Sequence, residues 1–392
     1  MDWQERLITL FSYIHKHYES ELFIYAERMS NNAAPKFSDT EVITVYLWGV
    51  MNGHEKVKSI HGYTRNHLSE RFPELPSYAG YVQRLNRISP VFSGLLPLIQ
   101  GYFNLLPSQE FIRLIDSMPI MTAKAQRSGG AKVAREIAAK GYNSTKKTYY
   151  YGVKLHILAV RRDGRLPLPD YIGVTAANEA DISVLKEIAD DLYDTPVYAD
   201  KAYIAETLNF LLTEQDSPLN TPVKKKKGEH LGMAEEILST AVSRVRQPIE
   251  SLFNWIEEKT GIQTASKVRS TQGLLVHVFG KLAAAMLMLT PIFNSSFALL
   301  NSLYQKNTLK TAMPFMTTCG DIILYLHRNP DGIPHLHATC QGQESIITLP
   351  DCMLREGDLP ENKLQQVRAW VEMHEQELMA DREAVGFCSS SE

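Results

Sequence analysis

Cysteine is scarce in this chain and is confined to one end of it. All four cysteines lie after residue 312, namely Cys319, Cys340, Cys352 and Cys388. The opening residues also lack the basic and then apolar pattern of a secretion signal, so we expect the protein to stay in a reducing compartment. The predicted location is the cytoplasm.

Long uninterrupted apolar runs are missing as well. The best candidate, residues 274–292, is rich in Leu, Ala and Met, but His277, Lys281 and Pro291 interrupt it. A membrane-spanning helix needs about 20 consecutive apolar residues with few charges. We therefore predict a core helix here and no association with a membrane.

The chain has little net charge, −3 at pH 7, because two unequal parts nearly cancel. After residue 312 there are 5 basic and 13 acidic residues, which leaves 36 basic and 31 acidic residues before it. The two parts carry about −8 and +5. A basic body suits a polyanionic partner.

Residues 1–104 have the pattern of a helical region. Ser38-Asp39-Thr40-Glu41 is a capping box that predicts a helix over the apolar stretch 42–50, and helical patterns follow at 57–70 and 77–89. Two interpretations are open because periodicity does not fix helix geometry. The region is either a helix-turn-helix module that binds DNA ends or a plain helical bundle.

From about residue 110 strands alternate with helices, which predicts an α/β domain over residues 105–293. The predicted strands are 111–116, 149–160, 169–175 and 196–200, and the predicted helices are 180–192, 202–214, 234–259 and 271–290. Asp163-Gly164 is a turn signal, so the second and third strands are expected to form a hairpin.

Three acidic residues stand out in this domain. Asp116 and Asp200 each close a predicted apolar strand, and Glu250 lies beside the apolar stripe of a predicted helix. An acid at the end of a strand lies at the rim of a sheet, where oxygen ligands hold hard cations. Taken singly, each acid is more simply explained as a cap or a surface ion pair.

Further motifs surround these acids in a fixed order. They are Ile115-Asp116-Ser117-Met118-Pro119, Gly141-Tyr142-Asn143-Ser144-Thr145-Lys146-Lys147, Tyr151-Gly152-Val153-Lys154-Leu155-His156, Ala199-Asp200-Lys201-Ala202-Tyr203 and Arg246-x-x-Ile249-Glu250-x-x-Phe253. Over about residues 105–292 this order resembles the DDE transposases of bacterial insertion sequences.

The resemblance implies a ribonuclease-H-like fold, with a mixed five-stranded sheet flanked by helices. It implies that Asp116, Asp200 and Glu250 are the catalytic residues and the ligands of two Mg²⁺ ions, for which Mn²⁺ substitutes. It further implies a homodimer on double-stranded DNA. Such a protein cuts at terminal inverted repeats with water, and the freed 3′-hydroxyl then attacks target DNA.

The sequence departs from the family pattern around Glu250. Many relatives have Tyr seven residues before this Glu and Lys seven after it, where this chain has Ser243 and Glu257. Arg246 is retained one helical turn before Glu250, where it can hold a phosphate with two hydrogen bonds. Pro248 lies between them, so the helix is expected to start or to kink there.

Basic residues near these motifs are candidates for binding the DNA backbone. They are Lys147, Lys154, Lys201, Lys224, Lys225 and Arg246. The segment from Lys124 to Lys147 contains Gly129-Gly130 and is predicted to be a mobile basic loop between the first two strands. The alternative is that these residues are ordinary solvated surface.

The end of the chain predicts a connector at 294–312 and a small α+β domain at 313–388. The predicted elements are strands at 321–327, 335–340 and 344–349 and a helix from about 361 to 384. The motif Pro334-His335-Leu336-His337-Ala338 resembles a small bacterial domain of unknown function. With Cys340 the two histidines also admit a zinc site, although a hydrogen-bonded histidine pair is the simpler interpretation.

Three functions are compatible with these features. The first is a transposase. The second is a catalytically inactive, DNA-binding transposase remnant whose C-terminal domain binds a partner, as the departures around Glu250 allow. The third is a hydrolytic nuclease that uses the same residues and never joins strands.

Overall fold

The computed structural model describes two groups of residues. In the longer part these are 3–26, 35–103, 112–144, 146–224 and 230–290, and in the tail 315–319, 322–327, 335–340, 343–348, 353–357 and 360–373. Met1–Ser295 form one compact unit and Ser296–Glu392 form another.

The first unit combines helices with one mixed sheet. The helices are α1 (Trp3–Ser20), α2 (Asp39–Met51), α3 (Val57–His67), α4 (Tyr78–Arg87), α5 (Ser89–Phe103), α6 (Ala125–Ser128), α7 (Asp181–Ile188), α8 (Glu206–Glu214), α9 (Met233–Thr260), α10 (Thr271–Leu275) and α11 (Lys281–Leu289). The strands are β1 (Arg113–Lys124), β2 (Ala139–Asn143), β3 (Thr148–Val160), β4 (Leu168–Ala176), β5 (Val197–Tyr198) and β6 (Leu219–Asn220).

Helix α2 begins where the capping box predicts it. The Ser38 backbone N–H donates to Glu41 Oε2 at 2.6 Å, and the Glu41 N–H donates to Ser38 Oγ at 3.1 Å. These two bonds satisfy N–H groups that the first helical turn leaves unpaired. Nearly every residue of α2 is buried, which explains its apolar sequence.

A buried ion pair holds α4 against the start of α2. The carboxylate of Asp39 accepts a hydrogen bond from Arg84 Nη2 at 2.6 Å and another from Arg87. Burial raises the pKa of Asp39, but the two guanidinium groups outweigh it and hold this pKa below its usual value. Both basic side chains of α4 are therefore used inside the fold.

The connections between these helices favour the helical-bundle interpretation. Residues 52–56 separate α2 from α3, and residues 68–77 separate α3 from α4. A helix-turn-helix module uses a turn of about three to four residues, so neither connection matches it.

The sheet has the predicted ribonuclease-H-like arrangement within an α/β unit. Strand β1 pairs antiparallel with β3 and parallel with β5, and β5 pairs parallel with β6. The other edge of β3 is shared, since its first part pairs with β2 and its second part with β4. Helix α9 packs on β1 and β5. The predicted fold class is confirmed.

Strand β1 is longer than predicted, and this corrects the position of Asp116. The strand runs from Arg113 to Lys124, so Asp116 lies within it and not at its end. Pro119 made the sequence look like a strand terminus, because proline cannot donate to a ladder. The structure tolerates Pro119 because β5 pairs only with Arg113 and Leu114, which leaves this part of β1 without a β5 partner.

The predicted mobile basic loop is also wrong. Residues 124–147 contain the end of β1, the short helix α6 and strand β2, which pairs with β3 from Ala139 to Asn143. The two-residue strand β6 was missed too, because two residues carry no readable alternation.

The chain that follows helix α9 forms backbone hydrogen bonds with the free edge of β1. The helix is continuous from Met233 to Thr260, so Pro248 does not start it. Gly261 then ends the helix with φ of 60°. Beyond it, Met121 N–H donates to the Gln263 carbonyl at 2.8 Å, and Ala265 N–H donates to the Met121 carbonyl at 2.9 Å.

The apolar stretch near residue 280 forms a buried helix. Within the described part of the chain, Thr271–Leu289 is the helix long and apolar enough to cross a membrane by length and composition. About 61% of it is buried inside the first unit, against α2, α5 and α9. This burial favours the predicted core helix.

The second unit contains a five-stranded antiparallel sheet and a helix. The elements are β7 (Phe315–Cys319), β8 (Ile322–His327), β9 (His335–Cys340), β10 (Gln343–Thr348), β11 (Leu354–Glu356) and α12 (Glu361–Met373). The predicted strands are present, and β7 and β11 are additional. The predicted connector and the side chains of His335 and His337 lie outside the described residues.

Candidate active site

Asp116 and Asp200 come together because their strands are parallel neighbours. Leu114 of β1 is level with Tyr198 of β5. Asp116 and Asp200 each follow this pair by two residues, and the charge of Asp200 contributes to raising the pKa of Asp116. The Asp200 carboxylate caps the following turn and accepts the Lys201 N–H at 2.8 Å. Asp200 thus lies just past a strand end, as predicted.

Arg246 joins Asp116 to Glu250. Its Nη1 donates to Asp116 Oδ2 at 2.8 Å, and its Nη2 donates to Glu250 Oε1 at 2.6 Å. Arg246 precedes Glu250 by one turn of α9, so both side chains leave the same face of that helix. One guanidinium therefore gathers carboxylates from β1 and α9.

The electrostatics of the site favour a cation beside Asp116. Burial is the largest influence and raises the pKa of Asp116 to about 6. Arg246 and the Ser117 N–H oppose this shift, while the charges of Asp200 and Glu250 add to it. A half-buried carboxyl between two other acids is more easily ionised when positive charge is close.

A second row of polar groups supports Asp116, and the sequence interpretation missed it. The Ser117 N–H donates to Asp116 Oδ1 at 2.8 Å, and Ser117 Oγ donates to Asp181 Oδ1 at 3.0 Å. Asp181 occupies the first turn of α7, where an acid is common because it complements the helix dipole. No sequence signal therefore separated it from an ordinary helix start.

Lys154, a predicted DNA contact, forms two hydrogen bonds within the fold. Its Nζ donates to Asp181 Oδ1 at 2.8 Å and to the Glu179 carbonyl at 2.7 Å. Its side chain is 16% exposed. Two of its three N–H donors are therefore used to position the start of α7.

The other predicted DNA contacts are spread over the surface. Lys147 is exposed between β2 and β3, Lys201 is exposed beside Asp200, and Lys224 is exposed after β6. Lys225 lies outside the described residues. Arg246, the remaining predicted DNA contact, is paired with two acids.

Comparison with known families assigns this part of the chain. Residues 107–270 match the family model described as Transposase DDE domain. This stretch, called the DDE domain from here on, is similar to DDE transposase domains. Residues 321–381 match the Domain of unknown function (DUF4160), so the predicted fusion of these two domains is confirmed. No curated protein and no solved structure matches the chain.

The three acids of the DDE domain do not enclose a metal site in this conformation. Among the residues that the structure describes, no group of three or more His, Cys, Asp or Glu side chains is placed to hold a metal ion. In the DDE domain the guanidinium of Arg246 occupies the position between Asp116 and Glu250. A protein cation therefore lies between two of the acids that would hold a metal.

Proposed function

We propose that the DDE domain cuts DNA at the terminal inverted repeats of an insertion sequence and joins the freed 3′ ends to target DNA. The observation that supports this proposal is that Arg246 contacts both Asp116 and Glu250 inside the matched stretch, while the charge of Asp200 also acts on Asp116. The three acids come from β1, the end of β5 and α9. The cytoplasm, where such DNA is accessible, is the expected location.

The donor set suits two Mg²⁺ ions, with Mn²⁺ as a substitute, held by Asp116, Asp200 and Glu250. Bound divalent ions stabilise the attacking and the leaving oxygen of a phosphodiester. The Tyr203 hydroxyl is a further polar group that could contact a ligand of this site. It is buried without a hydrogen-bond partner among the described residues. After burial, the charges of Asp116, Asp181 and Asp200 contribute to raising its pKa well above the usual value.

In this proposal Arg246 pairs first with two acids and later with a DNA phosphate. Before metal binds, it neutralises Asp116 and Glu250. With divalent ions held by the acids, this guanidinium would be available to hold a DNA phosphate with two hydrogen bonds. Exposed Lys147, Lys201 and Lys224, with Lys225, would contact more of the backbone of double-stranded DNA.

Arg246→Met is expected to tighten Mn²⁺ binding about tenfold, because it removes the competing cation while retaining an apolar stem of similar length. Electron paramagnetic resonance of free Mn²⁺ measures this without any reaction. Arg244→Met is the matched control, since Arg244 is exposed on the same helix. Equal or weaker Mn²⁺ binding by Arg246→Met would contradict competition for one position.

The inactive-remnant hypothesis predicts that the chain binds end DNA but does not cut it. We expect the purified chain to nick its own element's end DNA with Mg²⁺ or Mn²⁺, to stop when the metal is chelated, and to join the ends to a plasmid. End binding without any cleavage would favour the remnant. Cleavage without joined products would favour a hydrolytic nuclease. A homodimer is expected, since two ends are processed together.

One departure from the family pattern has a structural explanation. Glu257 stands where many relatives have Lys, and its Oε2 accepts the Gln263 N–H at 2.7 Å. It therefore fixes the turn after α9, which pairs with Met121. This contact weakens the inference that the departure reflects lost activity.

A further inference from the structure

Two tyrosines form an exposed aromatic pair on the β2–β3 hairpin. Tyr142 and Tyr149 are directly opposite in the antiparallel register. Their ring centroids are 5.0 Å apart at an interplanar angle of 58°, and the residues remain 51% and 53% exposed. Large rings are seldom left this open in pairs without a reason, although a single exposed ring needs none.

The pair is surrounded by positive charge. Lys140 Nζ lies 4.7 Å from the centroid of the Tyr149 ring, a cation–π contact. Lys146 and Lys147 are exposed at the tip of the same hairpin. Cations beside open aromatic faces are the combination that proteins use to bind single-stranded nucleic acid, where bases stack on rings and phosphates meet lysines.

The backbone beneath the pair is held in place. Gly141 lies between Lys140 and Tyr142 on the opposite side of β2. A Cβ at Gly141 would lie only 2.1 Å from the carbonyl oxygen of Ala177, so β2 lies directly against the chain that follows β4. A ring carried on a fixed strand pays less entropy on stacking than one on a free loop.

The register also relates the pair to the acids. Asp116 is opposite Ile157 on β3, and residues eight apart on one strand point to the same face. Tyr149 is therefore on the Asp116 side of the sheet, at about 26 Å along β3. A strand within a duplex advances by about 3.4 Å per nucleotide, so this distance corresponds to about eight nucleotides of paired DNA between the acids and the tyrosines.

We propose that Tyr142 and Tyr149 form a stacking platform for an unpaired DNA base about eight nucleotides from the cut phosphate. The lysines of the hairpin hold the flanking phosphates. The inference rests on the proposed function, because that function makes DNA the ligand. A duplex alone cannot use the platform fully, since its bases are already stacked on one another.

The test uses the full-length chain without metal, so that cleavage cannot occur. The probe is a single-stranded oligonucleotide containing 2-aminopurine, whose fluorescence falls when it stacks on an aromatic ring. Affinity comes from anisotropy of a separate end label. Tyr149→Ala is expected to weaken binding about tenfold and to abolish the fluorescence loss. Tyr149→Phe keeps the ring and is expected to retain both.

Two further variants keep the outcome interpretable. Tyr193→Ala is the matched control, because Tyr193 is 64% exposed and lies outside the hairpin, and it is expected to change nothing. Tyr142→Ala is expected to reproduce Tyr149→Ala. The proposal is overturned if both hairpin alanine variants bind and quench like the unaltered chain, or if Tyr149→Phe fails as badly as Tyr149→Ala.

A cross-strand tyrosine pair can also simply stabilise its hairpin. In that case the alanine variants would lower the melting temperature without changing the 2-aminopurine signal per bound molecule, which overturns the platform. Failure of the proposed function appears elsewhere, as intact DNA after incubation with Mg²⁺. If the protein quenches the 2-aminopurine but never cuts DNA, the stacking platform is supported and the proposed cleavage function is not.

Discussion

Asp116→Asn is expected to reduce metal-dependent cleavage of end DNA by about 10³-fold or more, which is about 4 kcal/mol of transition-state stabilisation. Asparagine has nearly the shape of aspartate, but it lacks the charge that would hold the divalent ions. Binding of end DNA is expected to stay nearly intact, because the proposed phosphate contacts come from lysines and Arg246. Gel-shift and nicking assays on one preparation measure both.

We do not expect Asp116→Asn to lose cleavage through unfolding. Burial raises the pKa of Asp116 to about 6, so the ionised carboxylate costs the folded state about 1–3 kcal/mol at neutral pH. Asp116→Asn removes this cost, and its melting temperature should be unchanged or higher. Asp170→Asn is the matched control, since Asp170 is paired to Arg113 at 2.6 Å on the edge of the sheet. Undiminished cleavage by Asp116→Asn would refute the assignment.

The free energy of unfolding is expected to fall when the pH is lowered below 6.5. Burial is the main reason that the pKa of His156 is lowered to about 4 and that of His277 to about 3. Between these values and 6.5 the unfolded chain binds protons that the folded chain rejects, so stability is full above this window and is lost on acidification. At pH 4 the loss is about 3 kcal/mol for each histidine.

Urea denaturation across this pH range measures the effect. His277→Gln should remove about 3 kcal/mol of the loss at pH 4, because glutamine does not titrate and its amide can still donate to the Ile262 carbonyl, as His277 Nε2 does at 2.8 Å. Protonation of Asp116, whose pKa is raised to about 6, offsets part of the loss from the two histidines. His67→Gln is the control, since His67 is exposed. An acid profile that is unchanged in His277→Gln would show that other groups govern acid unfolding.

The sequence predicted those parts of the fold that depend on contacts between residues close together in the chain. The capping box at Ser38 fixed the start of α2, because its two hydrogen bonds join residues three apart. Asp200 was placed correctly because a short buried strand ends just before it. The extent of β1 was not predictable, since Pro119 is acceptable only where β5 has already ended.

The partners of the site residues depended on contacts far apart in sequence. Arg246 lies 130 residues from Asp116, and Lys154 lies 27 residues from Asp181. A sequence indicates that such groups are charged, but not which opposite charge they meet. Both were predicted to bind phosphate, and in the folded chain each is satisfied by an acid first. The order of the spaced motifs singled out the three acids, whose catalytic role stays a prediction.

The pairing of Met121 with Gln263 and Ala265 limits how the two halves of the acidic site can separate. It ties the strand that carries Asp116 to the chain just beyond the helix that carries Glu250. The same turn is also held from α11, because Lys281 Nζ donates to the Gly261 carbonyl at 3.1 Å. Asp116 and Glu250 are therefore carried by segments that the backbone joins at one end, and a substitution in this turn is expected to disturb both acids together.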